Sequence, residues 1–226
     1  IADIDILVPE DTYDEAANVL RSAGWHCSCW NTWEATFRSP HFPLAIDLHC
    51  SLFPANAFNM PTADLFQRGQ LDAETFGVKL VLPDPRDVFA HLVGHFVKSQ
   101  AGISESRIAT DLSKLGHAFH LEPRALAQHL EACGMARAAR FALAIAGRSD
   151  TAGFCQRVAS ALDPDHVGDV IVRALLRWRP VLAQSWLLDL MRGFALEPSW
   201  PRSARTFLYT IRDGHRRRRE ASHHLR

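Results

Sequence analysis

Alternation of apolar and polar positions runs through the first third of the chain, and a helical period replaces it afterwards. "IADIDILV" opens with a strand-forming set, Ile1, Ile4, Ile6, Leu7 and Val8, into which Asp3 and Asp5 are set two apart. Strands disfavour aspartate, so this placement asks for a cause. Pro9 ends the run, Asp11 or Thr12 is placed to cap a helix, and Ala16, Ala17, Val19 and Leu20 give that helix an apolar face that Gly24 stops. Asn31-Thr32 reads as a turn. "EATFRS" and "PLAIDLHCSL" alternate on either side of "PHFP", the pattern of a hairpin or short loop, and "GVKLVLP" supplies a further strand. Residues 1–82 therefore read as mixed α/β with at least four strands.

From Pro83 the spacing changes. Val88, Phe89, Leu92, Val93 and Phe96 share one helical face, and Ile108, Leu112, Leu115 and Phe119 share another. "EPRALAQHLEACGMARAARFALAIAG" predicts a helix pair, or one helix broken at Gly134, and the stretch from Asp165 continues helical with an interruption at Pro180. The expected organisation is α+β: a mixed-sheet core over 1–82 and an all-helical domain over 83–226.

Composition changes this picture little. The 226 residues suffice to bury a real core. Lys+Arg and Asp+Glu balance at 25 each, which argues against a general nucleic-acid binder. The basic tail "RRRREASHHLR" reads as a solvated end. No apolar run is long enough for a bilayer and no signal-peptide pattern opens the chain, so a cytoplasmic location is expected. Ile1 is not an initiating methionine, and further residues are expected ahead of it. The five cysteines, Cys27, Cys29, Cys50, Cys133 and Cys155, show no disulfide-framework spacing and read as free, mostly buried thiols. Cys27 and Cys29, with His26, His49 and Cys50, lack the usual C-x2-C zinc pair, so core or strand roles are the expectation. The six tryptophans, Trp25, Trp30, Trp33, Trp178, Trp186 and Trp200, read as packing residues.

The carboxylates carry the chemistry. In a strand, Asp3 and Asp5 point to one face, with Cα atoms roughly 6.5–7 Å apart. Their mutual repulsion is relieved if a hard divalent cation lies between them. Asp47, flanked by Ile46 and Leu48, is a third acid in a strand interior. If its strand neighbours the first, three carboxylates converge on a site able to hold two metal ions about 3.5–4 Å apart. The alternative is that Asp3 and Asp5 occupy the solvent face of an edge strand.

A D-x-D at a strand end, a helix, a hairpin and a third acid in a strand resemble the nucleotidyltransferase superfamily. More narrowly, "DIDILV", "LRSAGW", "IDLH", "LPDPRD", "HLVGHFVK" and "RIATDL", in that order, resemble the uncharacterised bacterial nucleotidyltransferase family over most of residues 1–147. The resemblance implies a nucleotidyltransferase-like sheet core, with Asp3 and Asp5 as paired metal ligands. Asp47 would be the third ligand and the base for an acceptor hydroxyl. It implies Mg2+ or Mn2+, a nucleoside triphosphate substrate and release of pyrophosphate. The acceptor would be a small molecule, a peptide or protein side chain, or an RNA. It also implies a Gly-Ser or Gly-Gly turn at a helix N-terminus upstream of the D-x-D, whose N–H groups grip phosphates; that position falls ahead of Ile1. Two rival readings use the same residues: a non-catalytic module that binds a nucleotide or partner, and a metal-dependent phosphohydrolase.

The helical half offers cations for the phosphates. Asp87, His91, His95 and Lys98 form one stripe beside the apolar face. Lys98 could meet a phosphate as a point charge, while His91 and His95 lack the glutamate of an H-E-x-x-H metal motif. Arg107 is the second phosphate candidate, placed near the cleft by the resemblance, although Arg107 and Asp111 at i, i+4 can simply pair on a helix surface.

Overall fold

The computed structural model describes residues 3–53, 57–75, 77–98 and 105–182. They divide into two compact units: Ile1–Ala55 with Met60–Pro83, and Asn56–Asn59 with Asp84–Arg226. The basic tail, Trp186, Trp200 and the side chains of Trp178 and Lys98 lie outside the described residues.

The first unit holds strand β1 (Asp3–Leu7), helix α1 (Tyr13–Ser22), strands β2 (His26–Trp30), β3 (Glu34–Ser39) and β4 (Phe42–His49), helix α2 (Thr62–Arg68), and strands β5 (Gln70–Asp72) and β6 (Leu80–Leu82). The main sheet has the order β1-β4-β3-β2. The β2–β3 and β3–β4 pairs are antiparallel hairpins, while β1 pairs in parallel with β4. Parallel neighbours need a long crossover, and α1 with the β2–β3 hairpin forms it.

Register separates two chemistries across this sheet. Ile46 and Leu48 of β4 lie beside Ile4 and Ile6 on one side and Phe37 and Ala35 on the other, which makes one face apolar. Helix α1 covers that face: Ala17 is fully buried, and the Arg21 guanidinium lies 5.9 Å from the Phe37 ring centre and 5.0 Å from that of Trp30. The Tyr13 ring lies tilted against that of Trp30, centres 5.0 Å apart, and burial holds its phenol well above the usual range. The opposite face is left polar.

One local expectation is corrected. Neither Asp11 nor Thr12 caps α1 with its side chain; Glu10–Thr12 form a 3-10 turn in which the Thr12 hydroxyl donates to the Pro9 carbonyl. The further strand expected in "GVKLVLP" forms at Leu80–Leu82, in a separate two-stranded sheet. It pairs as β6 with β5, a partner whose three-residue length gave no alternation to read. Gly24 and the Asn31 turn stand as the pattern implied: Gly24 has φ +84°, and Asn31 Oδ1 accepts from the N–H groups of Trp33 and Glu34.

The second unit is helical: α3 (Pro85–Lys98), α4 (Glu105–Ala118), α5 (Pro123–Ala132), α6 (Ala136–Ala146), α7 (Phe154–Ala161) and α8 (His166–Leu182). Helix α6, "ARAARFALAIA", is apolar nearly all round, and such a helix belongs at the centre of a bundle. It packs against α3, α4, α5, α7 and α8. Phe89, Phe96, Leu112 and Leu126 are fully buried around it, as are its own Phe141 and Ile145. The break at Gly134 separates α5 from α6, with φ +70°. Pro180, expected to interrupt the last helix, does not: α8 runs through it to Leu182.

Candidate functional site: an acidic strand face and a buried Asp-His-Cys group

On the polar face of the main sheet, Asp5 sits directly beside Asp47 across the parallel β1–β4 pair, and Asp3 lies two residues before it on the same face. Neighbouring strands lie about 4.8 Å apart, so the carboxylates of residues 5 and 47 spring from adjacent backbone positions. β1 is the edge strand of this sheet. The Asp3 and Asp5 side chains are accordingly open, Asp5 being 58% exposed, whereas Asp47 is half-buried. Asp47 Oδ1 is buried with no hydrogen-bond partner among the described residues. Like charges repel, and the acids are arrayed along the strands rather than drawn into one tight knot.

A fourth group, weighed in the sequence only beside the cysteines, joins the acids. His49 follows Asp47 by two residues, so it shares the same face, and its Nε2 lies 3.0 Å from Asp5 Oδ1. An ionised carboxylate only accepts, so Nε2–H donates. The ring is 10% exposed, and its centre lies 5.8 Å from that of Trp33. The signal was available in "IDLH": period two along a strand puts the acid and the imidazole side by side. Glu34 and Thr36 face the same side, opposite His49 and Asp47.

These donors fit a hard divalent cation. A carboxylate oxygen that is buried and lacks a partner is costly unless something positive meets it, and carboxylates are what Mg2+ or Mn2+ accept.

The cysteine pair gives no thiol cluster. Cys27 and Cys29 are exposed on β2, while Cys50, Cys133 and Cys155 are buried, and all five are free thiols. Burial raises the Cys50 thiol above its usual range.

In the helical unit the expected stripe divides. Asp87, read as part of a polar stripe, is instead 1% exposed, while His91 is half-buried and His95 exposed. The reason is tertiary: His129 of α5 places Nε2 at 2.9 Å from Asp87 Oδ1. Cys133 Sγ lies 3.6 Å from the same nitrogen. The hydrogen bond to Asp87 first, and that to Cys133 second, push the His129 imidazole up to about 9 against its burial. Among the described residues, this is the group of three ligand-type side chains whose donor atoms all lie within 4.8 Å of one another. The backbone of Lys98 lies in α3, and Arg107 on α4 pairs at the surface with Asp111 at 3.7 Å.

A small mixed sheet followed by helices makes this an α+β protein, with acids gathered on one sheet face. The family model of an uncharacterised nucleotidyltransferase matches residues 1–149, and the chain belongs to that family. The family supports a transferase acting on a nucleoside triphosphate. No curated protein and no solved structure matches the chain. Among the described residues, no helix is long and apolar enough to cross a membrane.

Proposed function

We propose that the chain is a Mg2+-dependent nucleotidyltransferase that moves a nucleoside monophosphate from a nucleoside triphosphate to a hydroxyl-bearing acceptor. The observation that carries this is the register of Asp5 beside Asp47, with Asp3 on the same face. The cation, when bound, neutralises charge on the triphosphate and aligns it for in-line attack. Asp3, Asp5 and Asp47 would hold it. Asp47 also takes the proton of the acceptor hydroxyl; the oxygen bonds to the α-phosphorus, the bond to the β-phosphate breaks, and pyrophosphate leaves. His49 holds Asp5 in one orientation through the 3.0 Å bond. The first unit, with a boundary near residue 82, is the catalytic domain, and the helical domain follows it.

The test is a transfer assay with labelled nucleoside triphosphates, Mg2+ and cell extract, followed by mass spectrometry of whatever gains mass. Labelled acceptor and free pyrophosphate are expected. Asp5→Asn and Asp47→Asn each lower the rate by about 10²-fold or more. Their thermal midpoints stay level or rise, since each substitution removes a like-charge contact. Release of phosphate, or cut nucleic acid, would replace this reading with a hydrolase. Nucleotide binding without pyrophosphate release would make the chain a binding module.

A further inference from the structure

We infer that Asp87, His129 and Cys133 form a second metal site, selective for a borderline-soft divalent transition ion such as Zn2+ and separate in chemistry from the strand carboxylates.

The donor set is the first reason. One carboxylate, one imidazole and one thiol form a mixed O, N, S set, which suits zinc and not magnesium. The geometry is the second. A tetrahedral zinc with bonds of about 2.0 Å to nitrogen and oxygen and about 2.3 Å to sulfur separates nitrogen from sulfur by roughly 3.5 Å and nitrogen from oxygen by roughly 3.3 Å. His129 Nε2 lies 3.6 Å from Cys133 Sγ and 2.9 Å from Asp87 Oδ1. The nitrogen–oxygen pair needs to part by only a few tenths of an ångström, and all three donor atoms already lie within 4.8 Å of one another. A single N–H also cannot serve oxygen and sulfur equally well, whereas a cation at the point where the three atoms converge serves both.

The helices supply the third reason. His129 and Cys133 are four residues apart at the end of α5, so they project from one side of it. The C-terminal end of a helix carries partial negative charge and favours a cation. Asp87 comes from the first turn of α3. The Asn59 N–H donates to the Cys133 carbonyl at 2.8 Å, and Asn59 Nδ2 donates to that of Ala132 at 3.2 Å, which fixes the backbone carrying the sulfur. Carboxylate and thiolate together balance a divalent charge, so the buried centre is neutral, as low-dielectric surroundings require. Asp87 and Cys133 are 1% and 4% exposed, so the ion ties α3 to α5 inside the helical unit.

Co2+ is the probe. In the full chain, stripped with chelator, one bound Co2+ is expected to show the visible bands of a tetrahedral ion and a near-ultraviolet thiolate charge-transfer band. Zn2+ displaces it and excess Mg2+ does not. The charge-transfer band disappears in Cys133→Ser, and persists in Asp47→Asn and in the Cys27→Ser, Cys29→Ser double variant. On the unaltered protein, stoichiometric Zn2+ raises the thermal midpoint and chelator reverses the rise. Absence of the band, its survival in Cys133→Ser, or a midpoint indifferent to Zn2+ would each reduce the group to a buried Asp-His ion pair with a thiol beside it.

Discussion

Asp150 shows what several donors do for one buried carboxylate. The residue is 8% exposed and accepts from the N–H of Cys155 at 2.6 Å, the N–H of Ala152 at 3.1 Å and the Ser113 hydroxyl at 3.2 Å. Burial pushes its carboxyl up, but the donors from Cys155, Ser113 and Ala152 outweigh it and hold the group below its usual 3.8. A depressed carboxylate adds stability that is fully present above 3.8 and fades as pH falls through the folded value. Asp150→Asn should cost about 1–3 kcal/mol at neutral pH, because a charged acceptor leaves buried donors behind it. Urea melts repeated at falling pH should show the two proteins converging in the acid range; a constant gap would place the effect elsewhere. Cys155, beside it, is pushed up to about 12 by burial first and by the Asp150 charge second, so it stays a thiol. Residue chemistry of this kind was only half legible. Asp3, Asp5 and Asp47 stood out because strands disfavour acids, whereas His49 needed the extra step of reading a face rather than a residue.

Helix ends were the best-read elements where glycine marks them. Helix α1 closes with Gly24 N–H donating to Arg21 O and Trp25 N–H to Leu20 O, both at 3.0 Å, and α5 closes in the same way with Gly134 to Glu131 and Met135 to Leu130, both at 2.8 Å. Each uses a left-handed residue that glycine adopts without strain. Helix α4 closes identically, with Leu121 N–H to Gly116 O at 2.9 Å, but its left-handed residue is His120, at φ 50°. A side chain there costs roughly 1–2 kcal/mol. His120 is exposed, so its removal sacrifices no packing. His120→Gly should therefore stabilise the chain by up to about 1 kcal/mol, and Gly134→Ala should destabilise it by a similar amount. Urea midpoints of the two variants, moving in opposite directions, check the argument. Equal or same-sign shifts would sink it. A histidine in this role gives no sequence signal, and the short elements α2, β5 and α7 gave too few periodic positions to be read.

At the scale of the molecule, each unit has its own organising surface. The sheet sets an apolar face under α1 against an acidic one. The bundle closes around α6, which Arg137 and Arg140 join to the start of α8 and the loop before it: Arg137 pairs with Asp165 at 2.8 Å and Arg140 with Asp169 at 3.2 Å. If the acidic face is the nucleotide site, Mg2+ with a nucleoside triphosphate binds the folded chain and not the unfolded one. At about 100-fold excess over Kd that linkage is worth about 2.7 kcal/mol. A thermal scan should show the midpoint rise with Mg2+ and nucleotide together, fail to rise with Asp47→Asn, and still rise with Asp150→Asn. A rise that survives Asp47→Asn would move the nucleotide away from the strand carboxylates.

The sequence by itself determined the class of each half, the strand containing the D-x-D, the hairpin that brings in Asp47, and the glycine-marked helix ends. All of these depend on periods and turn chemistry spanning a few residues. Only the tertiary structure decided that Asp5 lies beside Asp47, that His49 reaches Asp5, and that Asp87 turns inward to His129 and Cys133. Strand register and helix packing join residues more than forty positions apart, and such pairings are chosen by burial of whole faces, which no local pattern encodes.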